Sequence, residues 1–344
     1  MSWPPPPVTI GGVRIDPPFV LAPMEGVTHR VFRDLILDLG GAGPGLPSGP
    51  SGPGAAWTEF LRVSQHPLRA RAIARELGPP RQDVPVGVQL MGVDPELVAA
   101  SAAAAVEAGA PMVDLNFGCP APTVFNKCAG SALLDFPERV EALVRAAVRG
   151  AAPAPVTAKL RLGIRDASRL PEVLAAVEAG GAAAVTLHAR TRADGYAHPA
   201  RWEELSRARG LTRLPLLGNG DVLRVEDARR MCLETGVDGV MIGRGALRDP
   251  WLFVRLRCET RGEAMPAVGP EELLRLHRRY QADMLAAGGQ ERGVLGQLKQ
   301  LWRRLDVVVT LDDPGRTALL RAQTLAELNA LVDGLVAATA ALAS

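Results

Sequence analysis

Lysine is nearly missing from this chain. Of 39 basic residues in 344, only Lys127, Lys159 and Lys299 are lysines, so each marks a place where a compact ammonium stands although arginine serves elsewhere. Net charge is nearly missing too: at +2, overall charge argues for neither a nucleic-acid coat nor a membrane-surface protein. Paired cysteines are absent. Cys119, Cys128, Cys232 and Cys258 lie far apart without a CxxC or zinc-ligand spacing, which fits a reducing cytosol and predicts no metal. No run of about 18 apolar residues escapes charge or proline. Residues 1–7 are proline-rich where a signal peptide would be basic and then apolar. The expectation is a cytoplasmic protein that does not meet a membrane.

What is present is a regular alternation. Short apolar stretches over 19–23, 56–60, 84–91, 112–116, 156–162, 184–189, 214–218 and 239–242 read as buried strands. Helical spacing follows over 28–39, 95–108, 136–149, 169–179, 202–207, 225–235 and 246–257, with Thr28 capping the first and Asp94-Pro95 opening the second. Eight strands alternating with these helices in some 240 residues predict a (β/α)8 TIM barrel in the α/β class. A doubly wound open sheet is the alternative, but no Gly-x-Gly-x-x-Gly follows the first strand. Helical spacing over 271–285, 293–304 and 322–342 predicts a small C-terminal α-helical bundle, interrupted only by the β-branched run Val307-Val308-Val309. The expected organisation is a proline-rich leader (1–18), a barrel (19–258) and a helical domain (259–344). Residues 40–56, rich in glycine, proline and serine, read as a mobile loop.

Polar residues gather where strands end. Asp114-Leu115-Asn116-Phe117-Gly118-Cys119-Pro120 holds one thiol on a rigid turn past a strand, a position suited to catalysis, although a lone cysteine also serves as a core residue. Gln89 lies in an apolar strand; Lys159 and Arg161 end another; His188 and Arg190 end the next. An ammonium in a β-prone apolar run needs a solvated or ligand-filled pocket. Asn219-Gly220-Asp221 and Gly243-Arg244-Gly245 end the last two strands, where barrels of this kind hold phosphate on backbone N–H groups, so the expected ligand carries a phosphate. Gln89 and Lys159 suit the polar edge of a flavin ring. Between Leu273 and Arg304 the chain carries Arg275, Arg278, Arg279, Arg292, Lys299, Arg303 and Arg304 against Asp283 and Glu291. That local excess, with Tyr280 and Trp302 interleaved, reads as either a solvated helix face or a phosphate-contacting surface.

These residues resemble the tRNA-dihydrouridine synthases. The similar stretches are Ala22-Pro23-Met24-Glu25-Gly26-Val27-Thr28, Thr58-Glu59-Phe60-Leu61-Arg62-Val63, Gln89-Leu90-Met91-Gly92, the Asp114 to Pro120 motif, Lys159-Leu160-Arg161-Leu162-Gly163, His188-Ala189-Arg190-Thr191, Gly218-Asn219-Gly220-Asp221 and Ile242-Gly243-Arg244-Gly245. The resemblance implies an FMN barrel followed by a helical RNA-binding domain. Pro23, Met24, Glu25, Gln89, Lys159 and His188 would then line the flavin. Asn219, Gly220, Asp221, Gly243 and Arg244 would take its phosphate, and Cys119 would be the general acid. Arg62, Asn116, Arg161 and Arg190 would lie near the uridine or RNA, and Lys299, Arg303 and Arg304 would extend the tRNA surface. NADPH would be the reductant, tRNA the partner and a monomer the working form. The stretch from Thr58 to Val63 looks most like the bacterial C-type subgroup, which acts on uridine 16 of the D-loop. The chain departs from the family at Cys128, Ala129 and Ala189, where glycine is frequent, and at the 40–56 segment, which looks inserted. Reducing the uracil 5,6 bond requires a hydride at carbon 6 and a proton at carbon 5, and a thiol of ordinary pKa near 8.5 is protonated at neutral pH. Two rival readings are an FMN barrel acting on a free pyrimidine-like molecule and a non-catalytic flavin-containing tRNA-binding module.

Overall fold

The chain opens with a hairpin, β1 (Val8–Ile10) against β2 (Val13–Ile15), antiparallel with Val8 opposite Ile15. A proline-rich leader does not suggest it, although Gly11-Gly12 between Val-Thr-Ile and Val-Arg-Ile is a hairpin signal. The computed structural model describes residues 3–39, 52–121, 125, 128–307 and 313–343. Most of the 40–56 segment, Lys127 and most of the Val307 to Val309 run lie outside the described residues.

Nine further strands follow: β3 (Phe19–Leu21), β4 (Ala55–Trp57), β5 (Leu61–Arg62), β6 (Val86–Met91), β7 (Val113–Phe117), β8 (Val156–Arg161), β9 (Ala184–His188), β10 (Leu216–Asn219) and β11 (Gly239–Ile242). They run parallel in the order β4-β3-β11-β10-β9-β8-β7-β6, and β6 also pairs β4, so eight strands close into a barrel. β5 is an extra two-residue strand beside the end of β6. All eight expected strands form within a few residues of their expected bounds.

The helices are α1 (Arg30–Asp38), α2 (Ala70–Leu77), α3 (Pro95–Glu107), α4 (Pro137–Ala151), α5 (Leu170–Ala179), α6 (Glu203–Arg209), α7 (Val225–Thr235), α8 (Arg244–Arg248), α9 (Leu252–Arg261), α10 (Pro270–Ala286), α11 (Glu291–Arg304), α12 (Asp313–Arg321) and α13 (Leu325–Ala343). Asp94 caps α3 as expected, accepting from Leu97 N at 3.0 Å. Thr28 does not cap α1. Its hydroxyl instead receives Met24 N at 2.6 Å and donates to Met24 O, closing the loop after β3. The helix expected over 246–257 is two helices, because Pro250 cannot continue α8. None of the described helices is long and apolar enough to cross a membrane.

Two compact units are formed, Met1–Arg30 with Pro53–Gly243, and Val31–Gly52 with Arg244–Ser344. In the first, the lower barrel interior is apolar: Val20, Ala55, Trp57, Met112, Ala184, Leu217 and Met241 cluster with Val8, Ile10 and Ile15 of the hairpin. In the second, Tyr280 of α10 meets Phe32 of α1 edge-on, and buried His277 links α11 to α13 by accepting Trp302 Nε1–H at 3.0 Å and contacting Asn329 Oδ1 at 2.8 Å.

Candidate active site

Side chains alternate along a strand, so residues two apart share a face and neighbouring strands line up by register. Gln89, Asp114 and Thr157 pair across β6, β7 and β8. Two residues further along, Asn116 pairs Lys159, which pairs Thr186; two further still, Arg161, His188 and Asn219 align. The face that is apolar at Met112, Ala184 and Leu217 thus turns polar toward the carboxyl ends. This change of character within one inward face defines the site.

The lowest polar row is sealed. Gln89 is 0% exposed and Asp114 2%. Gln89 Nε2 donates to Asp114 Oδ2 and Thr157 Oγ1 to Asp114 Oδ1, both at 2.6 Å, while Gln89 N donates to Thr58 Oγ1 at 3.1 Å. Burial drives the Asp114 carboxyl up to about 7, against the hydrogen bonds from Thr157 and Gln89 and the charge of Lys159. Burial likewise lowers Lys159 to about 8, with Arg161 adding repulsion and Asp114 opposing it. Among the described residues Lys159 Nζ has one hydrogen-bond acceptor, Asn219 Oδ1 at 3.3 Å. An ammonium carries three donors, so donor capacity remains for an electron-rich ligand.

Above this row stands the thiol. Asn116 Nδ2 donates to Gln89 Oε1 at 2.8 Å, and Asn116 Oδ1 receives Gly118 N at 3.0 Å and Cys119 N at 2.9 Å. Ser131 Oγ donates to Cys119 O at 2.8 Å, and Arg161 Nε to Gly118 O at 2.8 Å. The turn is therefore held on both sides of the half-buried cysteine. Burial pushes the Cys119 thiol up; Glu25 raises it further, while Arg62 and Arg161 pull it down. Cys128, in the loop beyond, sits at φ 54, the left-handed region that glycine enters most easily.

Several expected residues are brought together but turned to internal partners. Arg161 is buried, donates also to Thr191 O at 3.0 Å, and lies 5.6 Å from the Tyr196 ring. Arg190 is buried and pairs Asp221 at 2.6 Å, donating as well to His198 O. Asp221 Oδ2 also receives Ala200 N at 2.7 Å. Its carboxylate serves this pair, leaving backbone as what Asp221 can offer an anion. Gly220 takes φ 128, and a side chain there would come within 2.8 Å of Ala200. Gly243 abuts Met24, which with Pro23 and Glu25 forms the loop after β3. Glu59 Oε1 pins that loop by receiving Val27 N at 3.0 Å, and burial raises its pKa. Arg62, partly buried, lies over Phe60. Arg244 begins α8 in the second unit, and Lys299, Arg303 and Arg304 lie on α11 there.

Asp114, Thr157, Glu59 and Tyr196 join the site only through the fold. A carboxylate inside an apolar strand run signals Asp114. Tyr196, 58% exposed with its ring 6.2 Å from His188, sits in a loop with no such pattern.

Known proteins similar to this chain point the same way. A family model described as Dihydrouridine synthase (Dus) matches residues 20–318. The tRNA-dihydrouridine(16) synthase of Cupriavidus necator is 42% identical over 245 residues, spanning 69% of this chain and 72% of its own length. The protein of the same name from Neisseria meningitidis serogroup A is 34% identical over 314 residues, 89% of this chain and 90% of its own. Among solved structures, histamine dehydrogenase from Rhizobium sp. 4-9 aligns with TM-score 0.53 at 14% identity over 80% of this chain, which spans 50% of that longer protein. An old yellow enzyme homologue from Zymomonas mobilis aligns with TM-score 0.50 at 12% identity, covering 77% and 94% of the two chains. At such identities these two structures speak for the barrel alone.

Proposed function

The chain belongs to the dihydrouridine synthase family, and from that premise we propose that it reduces a uridine of the tRNA D-loop, uridine 16, to 5,6-dihydrouridine with FMN, NADPH and Cys119 as proton donor. The observation that carries the reading is a thiol whose turn is fixed beside an inward polar face that ends in Lys159, Arg161, His188 and Asn219. The relatives named for position 16 support the choice of uridine.

The residues fit a flavin phosphate and ring by their chemistry. Lys159 has donors to spare beside Asn219, and Gly220 and Gly243 are positions where a side chain would crowd Ala200 or Met24. When bound, FMN supplies the hydride for uracil carbon 6 and is recharged by NADPH. The chain supplies the rest. Asn219, Gly220, Asp221 and Gly243 would hold the phosphate, Asp221 through its backbone. Pro23, Met24, Glu25, Lys159 and His188 would line the ring, and Gln89 supports Asn116 from below.

Cys119 Sγ–H gives its proton to uracil carbon 5, and the resulting thiolate regains one from solvent before the next turnover. A raised thiol pKa keeps this acid loaded at neutral pH. Asn116 and Arg62 meet the base and its backbone, while Arg161 and Arg190 act by holding Gly118 and Asp221. A loop nucleotide is extruded more cheaply than a paired one, which suits the D-loop. In this division of labour residues 19–258 carry the chemistry and 259–344, with Lys299, Arg303 and Arg304, the tRNA.

The test is purified protein with NADPH and an unmodified tRNA transcript. Yellow protein releasing FMN, NADPH oxidation stimulated by tRNA but not by free uracil or orotate, and dihydrouridine mapped to position 16 are expected. Stimulation by a free pyrimidine instead would favour a small-molecule oxidoreductase. Binding of tRNA without any dihydrouridine would leave only a binding module.

A further inference from the structure

Resting on that reading, the geometry points to Asp114 as a positioning residue. We propose that it sets the direction of the Gln89–Asn116 amide pair, and thereby both the group that Asn116 offers the base and the setting of the Cys119 turn.

Donors and acceptors decide the direction. Asp114 gives one oxygen to each neighbour, so even when Oδ1 carries the proton, toward the Thr157 hydroxyl, Oδ2 still only accepts, and a backbone N–H can only donate. Asp114 lies at one end of an unbroken chain, and Gly118 N and Cys119 N at the other, with two reversible amides between them. Because Asp114 Oδ2 requires a donor, Gln89 must turn Nε2 toward it. Gln89 Oε1 then faces Asn116 and requires Nδ2, which leaves Asn116 Oδ1 for the two backbone N–H groups. Reversing either amide would set donor against donor or acceptor against acceptor, and at the Gln89–Asp114 end that mismatch would be sealed from water. The two ends therefore agree on one direction.

What Asn116 has left is one Nδ2 hydrogen and no free acceptor. It can approach a carbonyl oxygen of a base but not an exocyclic amino group, so where it meets ring position 4 it accepts uracil O4 and rejects the cytosine amine. Without Asp114 the anchor at the lower end is gone and Gln89 can turn over. Asn116 then loses the partner that holds its Nδ2, and the turn bearing Cys119 loses a firm cap. Thr157 and Lys159 are the other polar groups facing the carboxylate, the first as donor and the second as a nearby charge.

Three variants of the holoenzyme test this. Asp114→Leu removes the acceptor. Gln89→Met breaks the chain one link further along without touching Asp114. Asp114→Asn keeps the direction, because its carbonyl can receive Gln89 Nε2 while its amide donates to the Thr157 hydroxyl oxygen. Two readouts are taken: single-turnover reduction of unmodified tRNA by pre-reduced enzyme, and the iodoacetamide alkylation rate of Cys119 followed by peptide mapping without tRNA. Asp114→Leu and Gln89→Met should each slow tRNA reduction by about tenfold or more and speed Cys119 alkylation, the scale of an oriented hydrogen bond removed from a buried setting. Asp114→Asn should stay within about threefold of wild type in both. If Asp114→Leu does not fold, Gln89→Met against Asp114→Asn carries the comparison. Asp114→Asn as impaired as the chain-breaking variants would show that charge, not direction, matters, and would overturn the proposal. Unchanged alkylation in the chain-breaking variants would overturn it as well. Failure of the wild type to form dihydrouridine would sink the proposed function instead, while the alkylation arm would still report on the relay.

Discussion

At the residue scale two side chains carry expectations of different kinds. Cys119→Ala removes only the proton donor, so flavin reduction by NADPH should persist while tRNA reduction slows by roughly 10²- to 10⁴-fold, the usual share of a general acid. Rapid mixing of the pre-reduced variant with unmodified tRNA measures it, and a wild-type rate would return Cys119 to the role of a core residue. Asp114 affects stability through its proton. Its folded pKa of about 7 lies above the ordinary 3.8, so between those values the folded state holds a proton that the unfolded chain has released. Stability contributed by this group therefore falls as pH rises from about 4 to 7. Asp114→Asn abolishes that loss: its melting temperature should exceed wild type at pH 8, and the gap should close toward pH 4. A constant gap across the range would show that the carboxyl titrates normally.

At the scale of elements, close approach decides what the glycines do. Gly150 lies near the end of α4 with the Ala99 backbone of α3 where a side chain would have to go. The small side chains of α3 let the two helices come this near. Gly150→Ala should cost about 1–3 kcal/mol, as overfilling a tight contact does, seen as a lower urea midpoint with an unchanged slope. The loop after β10 makes the second case. Gly220→Ala would force a side chain onto φ 128 and against Ala200. It should weaken retention of FMN without changing which base is reduced, as measured by flavin released on dilution.

At the scale of the whole molecule, the basic C-terminal stretch divides once its partners are known. Arg275 pairs Glu272, Arg278 pairs Asp333 and Arg279 pairs Asp38. The first pair lies within α10, and the other two tie α10 to α13 and to α1. Arg303 and Arg304 end α11 exposed and, among the described residues, pair with no carboxylate. Neutralising both should weaken tRNA affinity and lower the salt slope by about 0.7 to 0.9 for each phosphate they would otherwise neutralise, with NADPH-driven flavin reduction untouched. An unchanged slope in a salt titration would move the RNA surface elsewhere.

Strand and helix periodicity were legible because they depend on neighbours along the chain: the eight strands, the Asp94 cap and three of the four described helices beyond residue 269, all but α12, follow from local pattern alone. The strand-end residues were legible too, since glycine, lysine and cysteine at such positions are unusual wherever they occur. What the sequence by itself determined was thus the barrel, its mouth and the residues present there. Which partner each residue takes was decided by the closed barrel. Closure puts Asp114 beside Gln89 and Thr157, 25 and 43 residues away, and turns Arg190 onto Asp221, 31 residues away. It buries Gln89 between Asp114 and Asn116. Hydrogen-bond direction depends on both partners at once, and those partners meet only when register and closure bring separate strands side by side.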